Sequence, residues 1–189
     1  LAEYLDLRRD DGTLTGVVKC RTLVHRDGDL HGTAHVWIAR PCSSGFALLL
    51  QKRSAEKDAY PDCWDISSAG HLPAGSDFLE SARRELHEEL GLIAAPEALH
   101  FVGFRHRIAR EVFHGAPFVD NEYSAVYLLP CSVEPDELHL QKEEVSEVRY
   151  FPFDAILDRF HDPSFRHCLY LDELRMVERA YTNLKRSSL

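Results

Sequence analysis

The sequence predicts an α/β (α+β) sandwich around a central mixed β-sheet, and three observations carry that prediction. Apolar runs of strand length, such as Phe46-Ala47-Leu48-Leu49-Leu50, are mixed along the chain with stretches of helical periodicity. Strands and helices that intermingle in this order belong to a layered fold. The length of 189 residues, 44% of them hydrophobic, suits one domain with enough apolar surface for a core.

Taken in order, residues 2–7 and 14–19 flank Asp10-Asp11-Gly12 and read as a hairpin. Residues 24–31 are polar and are expected as a loop. Residues 34–39 and 46–53 are two strands joined by a turn over 41–45. A charged loop over 54–61 precedes a short strand at 63–67. Residues 68–75 are small and punctuated by Gly and Pro, which predicts a loop. The helix expected over 77–90 opens on Asp77, with Glu80 three residues later, and stops at Gly91. Leu79, Ala82, Leu86 and Leu90 form its apolar stripe. Strands follow near 100–108, 122–129 and 145–151. A short helix over 154–160 and a longer one from about 169 to 184 come last. The longer helix carries Leu169, Leu171, Leu174, Met176, Val177, Tyr181 and Leu184 for packing on its own domain or in a homodimer. The chain is expected as a single domain, with an N-terminal hairpin and loop over 1–32 and a C-terminal helical extension over 161–189.

Charge and composition narrow the partners. With 31 acidic and 22 basic residues the formal net charge is −9, so duplex nucleic acid is not an expected partner. A phosphate-bearing small molecule remains compatible where a metal supplies positive charge. No stretch approaches the roughly 20 apolar residues of a membrane span, so no membrane partner is expected. The first residues do not read as a signal peptide, and a start at Leu1 leaves room for upstream chain. Cys20, Cys42, Cys63, Cys131 and Cys168 include no CxxC pair and read as free thiols of a reducing, cytoplasmic setting.

The densest chemistry is Arg84-Glu85-Leu86-His87-Glu88-Glu89-Leu90-Gly91. Glu85, Glu88 and Glu89 stand at i, i+3 and i+4 and project from about one third of the helix circumference. Like charges so spaced cost roughly a few tenths of a kcal/mol per pair. A divalent cation offsets that cost, and hard oxygen ligands suit Mg²⁺ or Mn²⁺. Taken alone, the helix is read equally well as a solvated acidic face, with Arg84 pairing Glu80 and Glu88.

Residues 70–92 resemble the Nudix box, G-x5-E-x7-R-E-U-x-E-E-x-G-U with U aliphatic. Gly70 is the first glycine, and Arg84, Glu85, Leu86, Glu88, Glu89, Gly91 and Leu92 stand at the expected spacing. Ser76 stands where the family has Glu, which bears on the number of metals. The resemblance implies a Nudix α/β/α sandwich whose loop–helix–loop holds Mg²⁺, with Mn²⁺ as an alternative, against a small-molecule diphosphate. Glu88 and Glu89 would be the main ligands, with Glu85 a further or water-mediated one. Arg84 would orient a glutamate by a bidentate ion pair, and the loop with Gly70, His71 and Gly75 would approach the phosphates.

Outside the box, residues 24–31, the strand through Trp37, and residues 48–54 and 60–65 look like isopentenyl-diphosphate isomerase and its hydrolase relatives. The isomerase has a catalytic Cys just before a Gly-His pair, where this chain has Ala69 before Gly70-His71. It also usually lacks the full glutamate set. Both differences point to pyrophosphohydrolysis by water, with isomerisation as the alternative and a non-catalytic binding module as a third reading. His25, His31, His71, Asp120 and Glu122 fall where isomerases bind a metal; loop hydrogen bonding is the other reading of these histidines. His35 reads as a sheet-face residue and Cys63 as packing or a free thiol. A carboxylate must take the water's proton, and the candidates are Glu122, Glu143 and Glu144. Arg105, His106, Arg107 and Arg110 read as a solvated strand edge, with substrate phosphates as the other reading. Tyr60, Trp64, Phe113, Phe118 and Tyr123 are read as core or as a wall for the organic part of a substrate.

Overall fold

The computed structural model describes residues 2–113 and 115–187. In chain order the elements are β1 (Tyr4–Arg8), β2 (Leu14–Cys20), α1 (Arg21–Asp27), β3 (His31–Cys42), β4 (Gly45–Arg53), β5 (Trp64–Asp65), β6 (Ser68–His71), α2 (Phe78–Leu90), β7 (His100–Phe113), β8 (Ala116–Pro130), β9 (Val145–Pro152), α3 (Phe153–Arg159) and α4 (Leu171–Ser187).

The sheet is organised by β3. It pairs in parallel with β8, in register from His31↔Glu122 to Ala39↔Pro130. Elsewhere it pairs antiparallel with β6, from Thr33↔His71 to Val36↔Ser68, and with β4, from Ile38↔Leu49 to Cys42↔Gly45. Beyond these lie β7 on β8, and β9 and β5 on β4. One parallel pair among antiparallel neighbours makes the expected mixed sheet.

Successive side chains of a strand point to opposite faces, and in β3 that alternation assigns the layers. Ala34, Val36 and Ile38, with Ala125, Tyr127 and Leu129 of β8, pack on Ala82, Leu86 and Leu90 of α2. On the other face Trp37, Ala39, Val126 and Leu128 pack on α3 and α4 through Phe153, Ile156, Leu174, Val177 and Tyr181. Helices cover both faces, as an α/β/α sandwich requires. The apolar stripe of α4 is therefore spent on its own sheet. That second face changes character along its length. Toward the start of the parallel pair it carries His31, Thr33 and His35 opposite Glu122 and Ser124, with Thr33 Oγ1 donating to Ser124 Oγ at 2.8 Å.

Two expected loops are regular structure. Residues 24–27 belong to α1, which buries Val24 and His25 and ends at Gly28 in the left-handed region. Two helical turns are too short to show an apolar stripe. Residues 68–71 are β6, not loop. Gly70 leaves room for what lies above it: a Cβ there would sit 2.1 Å from the Glu85 carboxyl carbon. The 63–67 strand shrinks to the two residues of β5, whereas β7 and β8 are longer than expected.

The helix α2 forms as predicted. Asp77 caps it, its carboxylate accepting from Glu80 N–H at 2.8 Å, and Gly91 ends it at φ 68°. Among the described residues no helix is long and apolar enough to cross a membrane. Replacing Asp77 by Ala is expected to cost about 1 kcal/mol in urea unfolding. Gly91→Val is expected to cost more, because its φ is unfavourable and its Cβ would approach His139 Cβ to 2.7 Å.

Candidate active site

Where the polar end of the β3–β8 face meets Ala69–His71 of β6 and the glutamates of α2, the chain leaves a cavity of about 420 Å³. One wall is α2. Glu89 is buried, accepts from Ala69 N–H at 3.2 Å and lies 3.4 Å from Gln51 Nε2. Burial pushes Glu89 up to about 8 and Glu85 up to about 7, with the neighbouring carboxylates adding to both. Glu88 is exposed at the rim. Arg84 ties the set together: it reaches Glu85 Oε1 at 2.6 Å, Glu88 Oε2 at 2.8 Å and the His71 carbonyl at 3.1 Å. It thus bridges two glutamates and a main-chain oxygen, where a bidentate pair with one glutamate was expected. Two desolvated carboxyls and a third beside them are a donor set that a hard divalent cation fits, since its charge would reverse the penalty burial imposes.

Next to the cavity lies a second group, of which His71 and Asp120 line it. Ligating atoms of His25, His31, His71 and Asp120 all lie within 4.8 Å of one another. His25 Nε2 is 3.2 Å from His71 Nε2 and 3.6 Å from Asp120 Oδ1, which is 3.8 Å from His31 Nε2. Nδ1 of His31 is 3.0 Å from the Asp29 carbonyl, and its Nε2 is buried with no hydrogen-bond partner among the described residues. Burial lowers His25 to about 3 and also lowers His31 and His71. Neutral imidazoles, one with an orphaned nitrogen turned to a carboxylate, fit a cation that takes nitrogen and oxygen ligands. Glu122, expected within this group, stands beside it.

Glu122 faces His35, Oε2 to Nε2 at 3.9 Å, and burial pushes its carboxyl up. His35 is more than a sheet-face residue: it is buried at the cavity wall and held by Glu173 of α4, Nδ1 to Oε1 at 2.9 Å. Burial opposes charge on the ring, but Glu173 and Glu122 outweigh it and raise His35 to about 9.

Other expected residues distribute unevenly. Glu144 reaches the rim and pairs with Lys57; Glu143 is not among the lining residues. Gly75 also lies outside the lining, its N–H given to Asp6 at 2.7 Å. Tyr60 and Phe118 line the cavity, joined through Phe113 by edge contacts with centroids 5.3 Å apart. Trp64 packs on Phe151, and Tyr123 lies on the α2 side with Phe104 and Phe78. The basic cluster on β7 is only partly a solvated edge. Arg105 is buried, paired with Asp172 at 2.6 Å and Glu173 at 3.4 Å, and Arg107 lies over the Tyr170 ring. Arg21, Arg53 and Lys57, which the sequence reading did not single out, line the cavity. Scattered single cations carry no spacing signal. The alternating His31, Thr33 and His35 in an otherwise apolar strand did carry one.

Residues 30–170 match the NUDIX domain family. The chain belongs to the Nudix family of hydrolases. It is 43% identical over 156 residues to Nudix hydrolase 3 of Arabidopsis thaliana, matching 80% of this chain and about a fifth (19%) of the length of that relative. An isopentenyl-diphosphate Delta-isomerase of Pectobacterium atrosepticum is 29% identical over 145 residues, 77% of this chain and 74% of its own, in keeping with the subgroup resemblance. The crystal structure of DR0079 from Deinococcus radiodurans superimposes with a TM-score of 0.66 at 22% identity, covering 95% of this chain and 99% of that one. At that identity the likeness is one of fold.

The raised carboxyls have a consequence for stability. The folded protein holds protons on Glu85 and Glu89 at pH values where the unfolded chain, with ordinary glutamates near 4.5, has lost them. Their contribution is full below about pH 4.5 and is lost as pH rises through about 7–8. In chelator, thermal midpoints are expected to fall over that range. Glu89→Gln is expected to flatten the fall, and added Mg²⁺ to stabilise more at about pH 8.5 than at about pH 5.

Proposed function

We propose that this Nudix protein hydrolyses a diphosphate linkage in a nucleoside or other small organic diphosphate by water attack. Mg²⁺, or Mn²⁺ in its place, would be held by Glu85, Glu88 and Glu89. The observation that carries this reading is convergence: the α2 carboxylates, His71 and Asp120 of the histidine–aspartate group, and three cationic side chains line one cavity. The site has the size and mixed lining of a small-molecule pocket.

When bound, the divalent cation would neutralise phosphate charge and help activate water. The remaining work falls to side chains. Arg21, Arg53 and Lys57 are placed to bind non-bridging phosphate oxygens. They are now paired with Glu3, Asp65 and Glu144, and a diphosphate would compete for them. Arg84 keeps Glu85 and Glu88 from swinging apart. Gly70 keeps β6 thin enough for Glu85 to lie over it. Tyr60, Phe118 and Tyr170 offer the organic part of the substrate an apolar wall.

Of the carboxylates that could accept the water's proton, Glu122 is favoured over Glu144. Glu122 is deeper, its burial disfavours charge, and it has no lysine partner, whereas Glu144 is tied to Lys57 at the rim. A second cation on His25, His31, His71 and Asp120 belongs to the same reading. The chain works as one domain in this account, because α4 reaches the cavity through Glu173. Five free thiols support a reducing, cytoplasmic setting.

The test is a phosphate-release screen with Mg²⁺ and Mn²⁺ over nucleoside di- and triphosphates, dinucleotides, sugar nucleotides and prenyl diphosphates. Turnover is expected on at least one class, falling about 100-fold or more in Glu88→Gln and Glu89→Gln. No turnover on any class would overturn the hydrolase reading. Conversion of a prenyl diphosphate to its isomer without phosphate release would favour the isomerase, for which Ala69 offers no ionisable group. Calorimetry with Mn²⁺ or Zn²⁺ is expected to show a binding event that His31→Ala abolishes while leaving the α2 event in place.

A further inference from the structure

We propose that Glu173 of α4 is a positioning residue for Glu122, acting through His35, so that docking of the C-terminal helix and assembly of the active site are one event. The proposal rests on the reading of Glu122 as the proton acceptor.

The helix α4 begins after the residues that match the family, and most of its inner face is apolar: Leu174, Val177 and Tyr181 pack on the sheet. Glu173 interrupts that face. It is 1% exposed, and a buried carboxylate is costly unless its oxygens are paired. Here they are. Oε1 accepts from Trp37 Nε1 at 2.8 Å and from His35 Nδ1 at 2.9 Å. Oε2 lies 3.4 Å from Arg105 Nη1.

Trp37 and Arg105 have no part in the cavity chemistry, but His35 does. With Nδ1 donating to Glu173, the plane of the ring is fixed. Nε2 is then held toward Glu122 Oε2 at 3.9 Å and Thr33 Oγ1 at 3.4 Å. Glu122 has no hydrogen bond from any described side chain, and its ion pair with His35 is the contact that orients it. A ring without Glu173 could rotate, or lose a proton and present a lone pair to Glu122. Packing alone would have been served by an apolar residue at 173. The carboxylate serves orientation.

Helix docking and positioning can be separated, because Arg105 anchors α4 mainly through Asp172, at 2.6 and 3.0 Å, without touching His35. The experiment measures kcat, KM and thermal midpoint for Glu173→Gln, Glu173→Leu, His35→Phe, the double variant Glu173→Gln/His35→Phe, and Arg105→Met. The substrate is whichever diphosphate the screen returns. In parallel, the ¹⁵N shifts of the histidine rings are recorded in metal-free protein.

Glu173→Gln, which keeps one acceptor oxygen, is expected to lower kcat about tenfold, and Glu173→Leu about 100-fold, with KM within about twofold. In the His35→Phe background the glutamine is expected to cause no further loss. Arg105→Met is expected to lower the thermal midpoint with kcat within about twofold. The His35 ring nitrogens are expected to shift in Glu173→Gln. Unchanged kcat in both Glu173 variants, or additive losses in the double variant, would overturn the proposal. If the wild-type protein turned over no diphosphate, the hydrolase reading would fall by itself. The ring shifts would then decide the positioning, and unchanged His35 nitrogens in Glu173→Gln would reject it.

Discussion

The parallel pairing of β3 with β8 is the constraint on which the rest depends. Because side chains alternate at every residue, one register assigns two strands' worth of side chains to faces at once. A slip of one residue would bring Ala34 and Val36 to the cavity and send His31, Thr33 and His35 under α2. The apolar half of the same face, from Trp37 to Ala39 and from Val126 to Leu128, holds α4 in place. The helix that covers the core and the groups that line the cavity are therefore set by a single ladder.

The cavity is an arrangement of charges kept short of water. Burial raises Glu85, Glu89 and Glu122 and lowers the histidines opposite them. Burial disfavours the charged form on each side: a cation would offset this for the glutamates, and it leaves the histidines in the neutral form a cation binds. The acidic wall has an internal brace in Arg84, the histidine wall has none beyond Asp120, and His31 keeps an unpartnered nitrogen. This asymmetry is what separates the two groups chemically: oxygen donors suit a hard cation, and mixed nitrogen and oxygen donors a softer one.

Two segments outside the residues that match the family also reach the site. The segment α1 supplies Arg21, and α4 supplies Glu173. Neither is part of the glutamate helix, yet both contribute to the same cavity. The oxygen ligands come from one helix turn, while the orientation of the groups facing them comes from chain ends remote in sequence.

The sequence by itself determined what repeats at short range. The α2 helix, its Asp77 cap, its Gly91 stop, its converging glutamates and the strands of the sheet are all local patterns of spacing, and they were legible. Two local patterns misled. The two turns of α1 are too short to display a period, and β6 looks like loop in part because it carries Gly70, over which Glu85 lies. What only the tertiary structure decided is which distant groups meet: three histidines from α1, β3 and β6 with Asp120 of β8, cations from three separate segments, and a buried glutamate 138 residues from the histidine it holds. Such meetings depend on the register of paired strands and on where helices dock. Those are set by the burial of the whole core, which no local spacing encodes.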